Sequence, residues 1–203
     1  MLTLKGKSVF SGISIGPLAL FHRNTISTAV RPIEDVDAEI ARFQKAREEA
    51  IGQLKDLYVK AVDKVGEEQA AVFEVHQMML DDDDYIEGIE TKIRDKKMNA
   101  EAAVDQTAQE FAEMFRSMED AYMQARAADV LDISHRVEQQ LCGGPGIDFS
   151  NYDHVIIAAD DLAPSETLQL DTDKILGFVT SAGSTNSHTA ILARTLGIAA
   201  VVS

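Results

Sequence analysis

From Glu34 to Cys142 the chain has no proline and only three glycines, Gly52, Gly66 and Gly88. Arg31-Pro32 breaks it before, and Cys142-Gly143-Gly144-Pro145-Gly146 breaks it after. Proline and glycine are the strongest interrupters of regular structure, so this stretch reads as helix. Ile40, Phe43, Ala50, Leu54, Leu57, Ala61 and Val65 recur at steps of three, four or seven. That spacing predicts one apolar face on a long helix from Asp35 or Asp37 to Gly66. A second helix is expected over about Glu67 to Leu80, ended by the four aspartates 81–84. Aspartate is a poor interior residue and a good cap, so a third helix should begin at Asp83 or Asp84 and reach Met98. Asn99 reads as the cap of a fourth. The last runs from about Met118 to Leu141, with Cys142 as a small packing residue at its end.

The flanks have a different character. Met1 to Phe21 is rich in Val, Ile, Leu and Phe with glycine breaks, which predicts one or two short strands. From Tyr152 onward short strands and helices alternate: His154 to Ala159, Pro164 to Leu168, Lys174 to Thr180, Ser187 to Leu196, Ile198 to Val202. That is an α/β pattern. The strands at both ends most simply share one sheet, which makes the helical stretch an insertion that leaves it and returns. The last strand would end the chain as an open pairing edge.

Within the α/β part, Lys174 to Thr180 reads as a buried strand, followed by small and hydroxyl residues from Ser181 to Ser187 and then by Ile191, Leu192, Leu196 and Ile198 at helical spacing. His188 therefore falls on the first turn of a helix that follows a strand. Unpaired amides and the positive end of the helix dipole favour an anion there, above all phosphate. A neutral imidazole so placed can attack phosphorus. From these residues alone a second reading stands beside it, an ordinary Ser/Thr/Asn cap with a surface histidine.

The formal net charge is −15, with 34 acidic against 19 basic side chains. Nucleic-acid binding needs cations on phosphates, so that class is excluded. Nine carboxylates lie between Val65 and Thr91 with no lysine or arginine among them: Glu67, Glu68, Glu74, Asp81, Asp82, Asp83, Asp84, Glu87 and Glu90. Such a field attracts a basic partner surface, or serves solubility alone. No apolar run reaches the ~18 residues of a membrane span, and Met1 to Phe10 lacks the apolar core of a signal peptide. One cysteine excludes an internal disulfide and agrees with a reducing compartment, so the cytoplasm is expected. No metal-ligand spacing is present, and the Asp81–Asp84 run lacks the glycine and terminal glutamate of a calcium loop.

The segment Gly183-Ser-Thr-Asn-Ser-His188-Thr-Ala-Ile-Leu-Ala-Arg194 resembles the phosphohistidine motif of phosphoenolpyruvate-utilising enzymes, departing at Ser184, where that family has a second glycine. Ala159-Asp-Asp-Leu-Ala-Pro-Ser-Glu-Thr167 resembles the "ADLTPSE" segment of the Enzyme I family of the bacterial sugar phosphotransferase system. Ser11-Gly-Ile-Ser-Ile-Gly16 resembles its opening "SPGIAxG". Arg126-Ala-Ala-Asp-Val130 and Glu67 to Leu80 are similar as well. Gln69 stands where several members carry a lysine.

The resemblance implies an α/β phosphohistidine (swivelling) domain, discontinuous in sequence over 1–30 and 146–203, with a four-helix-type α-helical insertion over 31–145 that binds the phosphocarrier HPr. It implies that His188 accepts a phosphoryl group drawn from phosphoenolpyruvate and passes it to a histidine of HPr for sugar uptake. Thr167 is the implied hydrogen-bond partner of that histidine. Arg194 completes the motif and faces either the loop or solvent. HPr would dock on the acidic hairpin, with Met78, Met79 and Leu80 as its apolar centre and Glu67, Glu68, Glu74, Asp83 and Asp84 around it, near Arg126. The resemblance further implies that phosphoenolpyruvate and magnesium are bound by a C-terminal domain beyond this sequence. No cofactor is then expected here, and the fragment is expected to be a monomer of a homodimeric family. Two alternatives accompany it: the phosphohistidine domain of a dikinase or synthase, and a non-catalytic acidic helical binding module.

Overall fold

The computed structural model describes residues 5–22, 26–143 and 152–202. Five helices follow one another through the proline-free stretch: α1 (Val36–Val65), α2 (Glu67–Leu80), α3 (Asp83–Lys96), α4 (Ala100–Arg116) and α5 (Ala121–Cys142). The α/β part holds β1 (Lys7–Phe10), β2 (Leu18–Phe21), β3 (Val155–Ala159), α6 (Pro164–Gln169), β4 (Ile175–Thr180), α7 (His188–Leu196) and β5 (Ala199–Val202). The chain forms two compact units. One comprises Met1–Asn24, Val59–Ala70 and Ile147–Ser203, and the other Thr25–Tyr58 and Ala71–Gly146. Residues 59–70, which sequence reasoning put in the helical part, thus group with the α/β strands.

In the α/β unit the strands form one sheet in the order β1-β5-β4-β3-β2. β2, β3, β4 and β5 pair in parallel, and β1 joins β5 antiparallel. Strands from both ends of the chain do share one sheet. The open edge expected at the last strand is not there, because β5 is flanked by β1 and β4; the edges are β1 and β2. Alternation along the strands sends Phe21, Ile157, Phe178, Ala200 and Val202 into one core with Leu162, Leu170, Ala190, Ala193 and Ile198. Gly177 in β4 is required by packing, since a Cβ there would lie 2.7 Å from the Ala199 carbonyl oxygen.

In the helical unit, α1 buries Phe43, Ala46, Ala50, Leu54 and Leu57, the face its spacing predicts. Gly66 ends α1 at φ +88°, and α2 begins one residue later. The aspartates 81–84 divide the work. Asp81 takes a 2.6 Å hydrogen bond from the Arg47 guanidinium, and Asp82 caps α3 by accepting from the Tyr85 amide at 3.1 Å. Asn99 precedes α4 as expected, yet its side chain does not cap it. Its Oδ1 accepts from the Arg31 amide at 2.7 Å, and the Ala100 amide goes instead to Glu39 Oε1 at 2.6 Å. Tertiary contacts have displaced the local cap. Cys142 is exposed rather than packed, and Gly143 closes α5 in a left-handed conformation. The expected linker residues 144–146 lie outside the described residues.

Candidate functional site

His188 is the first residue of α7. Its placement follows from a series of local bonds. The chain leaves β4 hydrogen-bonded to the exit of β3: the Ser181 amide donates to Ala159 O at 3.1 Å, and the Ala182 amide to Asp160 O at 2.8 Å. Gly183 then turns at φ +109°, a region that disfavours side chains. Ser184, the departure from the family pattern, is not among the described non-glycine residues with positive φ. The turn needs one glycine there, and Gly183 supplies it. The Ser187 amide and hydroxyl both donate to the Ser184 carbonyl, at 3.2 and 3.0 Å. Ser187 Oγ also accepts from the Ala190 amide at 3.2 Å, capping α7. The imidazole is half-buried at the helix start, where the dipole favours an approaching anion.

Thr167 is fully buried in the last turn of α6, and its hydroxyl donates to the Ala163 carbonyl at 3.0 Å. A hydroxyl oxygen that donates in this way retains lone pairs with which to accept an imidazole N–H. The Ala159–Thr167 segment is itself fastened, since the Ala163 amide donates to Glu166 Oε2 at 2.6 Å and the Leu162 amide to Asp161 Oδ1 at 2.9 Å. Arg194 turns back on the loop, its guanidinium donating to the Thr185 carbonyl at 2.8 Å. Sequence reasoning passed over Thr189, whose buried hydroxyl donates to the Leu162 carbonyl at 2.6 Å. Its only sequence signal is its place next to His188.

On the helical hairpin Glu67, Glu68, Glu74, Asp83 and Asp84 are all exposed, and Met78 is 71% exposed. Met79 is half-buried. Leu80 is fully buried in the helical core, so it is not available at the surface as part of an apolar docking centre. Its position at the end of α2 carries no signal that separates core from surface. A groove of about 240 Å³ opens in the helical unit instead, lined by Met79, Asp84, Tyr85, Phe111, Met114 and Phe115, among others. The α4 residues Phe111, Met114 and Phe115 were not singled out from sequence, since aromatic and methionine residues at helical spacing look like core. Arg126 is largely buried, 3.2 Å from Asp129 and stacked 4.7 Å over the Tyr122 ring. His76 is fully buried in the helical core, with Nε2 3.4 Å from Asp129. Among the described residues no group of three or more His, Cys, Asp or Glu could hold a metal ion. No helix among them is long and apolar enough to cross a membrane.

A mixed sheet that presents a histidine at a helix start is an α/β architecture, here with a helical insertion between its first and last strands. The family description "PEP-utilising enzyme, N-terminal" matches residues 5–126, and "PEP-utilising enzyme, mobile domain" matches residues 152–203. The chain belongs to the phosphoenolpyruvate-utilising enzymes, in their Enzyme I branch. It is 39% identical over 98% of its length to the phosphoenolpyruvate-protein phosphotransferases of Bacillus sp. (strain S) and Geobacillus stearothermophilus, and 41% identical to that of Lactococcus lactis subsp. lactis (strain IL1403). It spans 35% of the length of each. The solution structure of an Enzyme I protein (nEIt) superposes with a TM-score of 0.77 at 36% identity, covering 98% of this chain and 82% of that one. The N-terminal domain of an Enzyme 1 of the nitrogen type gives 0.67 at 25% identity, covering 97% and 82%.

Proposed function

We propose that this chain carries the phosphoryl-accepting and partner-docking parts of a phosphoenolpyruvate-protein phosphotransferase. His188 takes the phosphoryl group and exchanges it with a histidine of HPr in sugar uptake, in the cytoplasm. The observation that carries this reading is the placement of His188 at the capped start of α7, behind a glycine turn tied to the exit of β3. The ring nitrogen attacks phosphorus, the helix start favours the phosphoryl charge, and Thr167 accepts the N–H of the other ring nitrogen and orients the ring. No step is assigned to magnesium, because the described residues offer no ligand cluster for it. Its work, and the binding of phosphoenolpyruvate, belong on this reading to the part of the longer relatives that the chain does not match, as does their assembly into homodimers.

Docking of HPr is assigned to the helical unit, with Met78, Met79 and the groove at Met114 and Phe115 as apolar centre. Glu74, Asp83 and Asp84 supply its charged surround, whereas Glu67 and Glu68 group with the α/β unit. Incubation with phosphorylated HPr, read by intact mass under alkaline conditions, tests the site. The wild type should gain one phosphoryl group and His188→Ala none, with both showing the same helical circular dichroism. Labelling of the variant at the wild-type rate would refute the assignment.

A further inference from the structure

A helical Ser or Thr hydroxyl commonly bonds back to the carbonyl four residues earlier on its own helix. Thr195 does so to Ile191, and Thr167 to Ala163, both at 3.0 Å. Thr189 is the second residue of α7 and has no preceding turn of that helix to bond to. Its buried hydroxyl leaves the helix and donates to the Leu162 carbonyl at 2.6 Å, in the connection between β3 and α6. Leu162 is itself fixed through its amide to Asp161, and the next residue, Ala163, is tied to Glu166 through its amide and to the Thr167 hydroxyl through its carbonyl. A short chain of bonds through buried residues therefore runs from the residue beside His188 to Thr167. On the other side, the loop before His188 is held by Ser187 on Ser184 and by Arg194 on Thr185.

We propose that Thr189 is a positioning residue for phosphoryl transfer at His188. Its hydroxyl locks the first turn of α7 to Leu162 and so sets the direction of the His188 ring relative to the Thr167 hydroxyl. The inference rests on the reading of His188 as the phosphoryl acceptor. In that step the P–N bond to the donor histidine breaks and returns its electron pair to the donor nitrogen. A P–N bond to His188 forms from the ring lone pair, and each ring keeps its other N–H. Nothing is left over, so the rate depends on how well the lone pair is aimed at phosphorus. The remainder of α7 is anchored by buried Ala190, Leu192 and Ala193, so loss of the Thr189 hydroxyl loosens the first turn and not the helix.

The test compares Thr189→Val, which keeps the shape and removes the donor, with Thr189→Ser, which keeps the donor. Single-turnover transfer from phosphorylated HPr should slow about tenfold or more in the valine variant and stay within about threefold in the serine variant. Nitrogen-15 spectra of the His188 ring should show a changed tautomer balance in the valine variant, and not in the serine variant. If valine does not fold, Thr189→Ala takes its place. A valine or alanine variant that transfers at the wild-type rate with unchanged His188 resonances overturns the inference alone. A wild type that takes no label at His188 overturns the reading beneath it.

Discussion

Glu101 is a carboxylate closed inside the helical unit, and its neighbours decide its charge. Burial by itself would push its pKa up. Hydrogen bonds from Arg42 at 2.8 and 3.0 Å and from Asn99 at 2.9 Å outweigh burial and hold it at about 2. Glu39 is lowered in the same way: burial opposes, and bonds from Arg42 and the Ala100 amide prevail. A carboxylate depressed in the folded state adds stability in full above its unfolded value of 4.5, and that stability is lost as pH falls toward about 2. Glu101→Gln should therefore destabilise the chain at pH 7 by about 2 kcal/mol, a figure kept low because Arg42 is partly exposed. The difference from wild type should shrink as pH drops from 4.5 toward 2. Urea midpoints of both proteins across that range check the sign; a gap that stays constant with pH would assign the loss to packing. Sequence marked Asn99 only as a helix cap. The network is invisible there because Arg31, Arg42 and Glu101 lie far apart along the chain.

At the scale of elements, the bounds of α1, α2 and α3 were legible to within a residue or two, since glycine and aspartate act locally on backbone geometry. Which face meets solvent was less so. Leu80 and Met78 lie two residues apart in one apolar run, and only the packing of α2 separates the buried one from the exposed one. The acidic hairpin is likewise divided by its neighbours: Asp81 is paired with Arg47, Asp82 caps α3 and Glu90 is held by Arg94 and Gln44. Glu74, Asp83 and Asp84 remain exposed, and Asp84 lines the apolar groove. Affinity for HPr should fall with rising salt, because exposed charges are screened over about 8 Å at physiological ionic strength. A Glu74→Lys, Asp84→Lys double variant should bind more weakly at low salt, and Met114→Ala should weaken binding with little change in salt slope. Calorimetric titrations at three salt concentrations separate these effects. Unchanged binding in both variants would move the interface elsewhere.

For the molecule as a whole, the sheet joins strands from both flanks of the helical stretch, and that closure aligns the exits of β3 and β4, from which α6 and α7 bring Thr167 and His188 into one unit. Phosphoenolpyruvate with magnesium, and no HPr, should leave the 203-residue chain unlabelled, since its described residues offer no metal cluster and it spans 35% of its curated relatives. Mass analysis after such an incubation checks this, and rapid labelling would place phosphoenolpyruvate binding within the chain. The sequence by itself determined the helices, the α/β alternation and the place of His188 at a helix start. Each of these follows from backbone preferences and apolar period over a few neighbouring residues. Only the tertiary structure decided that β5 lies between β1 and β4, that Leu80 is buried, that Glu39 and not Asn99 satisfies the start of α4, and that Thr189 bonds to Leu162. Those outcomes depend on which distant groups share one interior, where an unpaired buried donor or acceptor costs free energy.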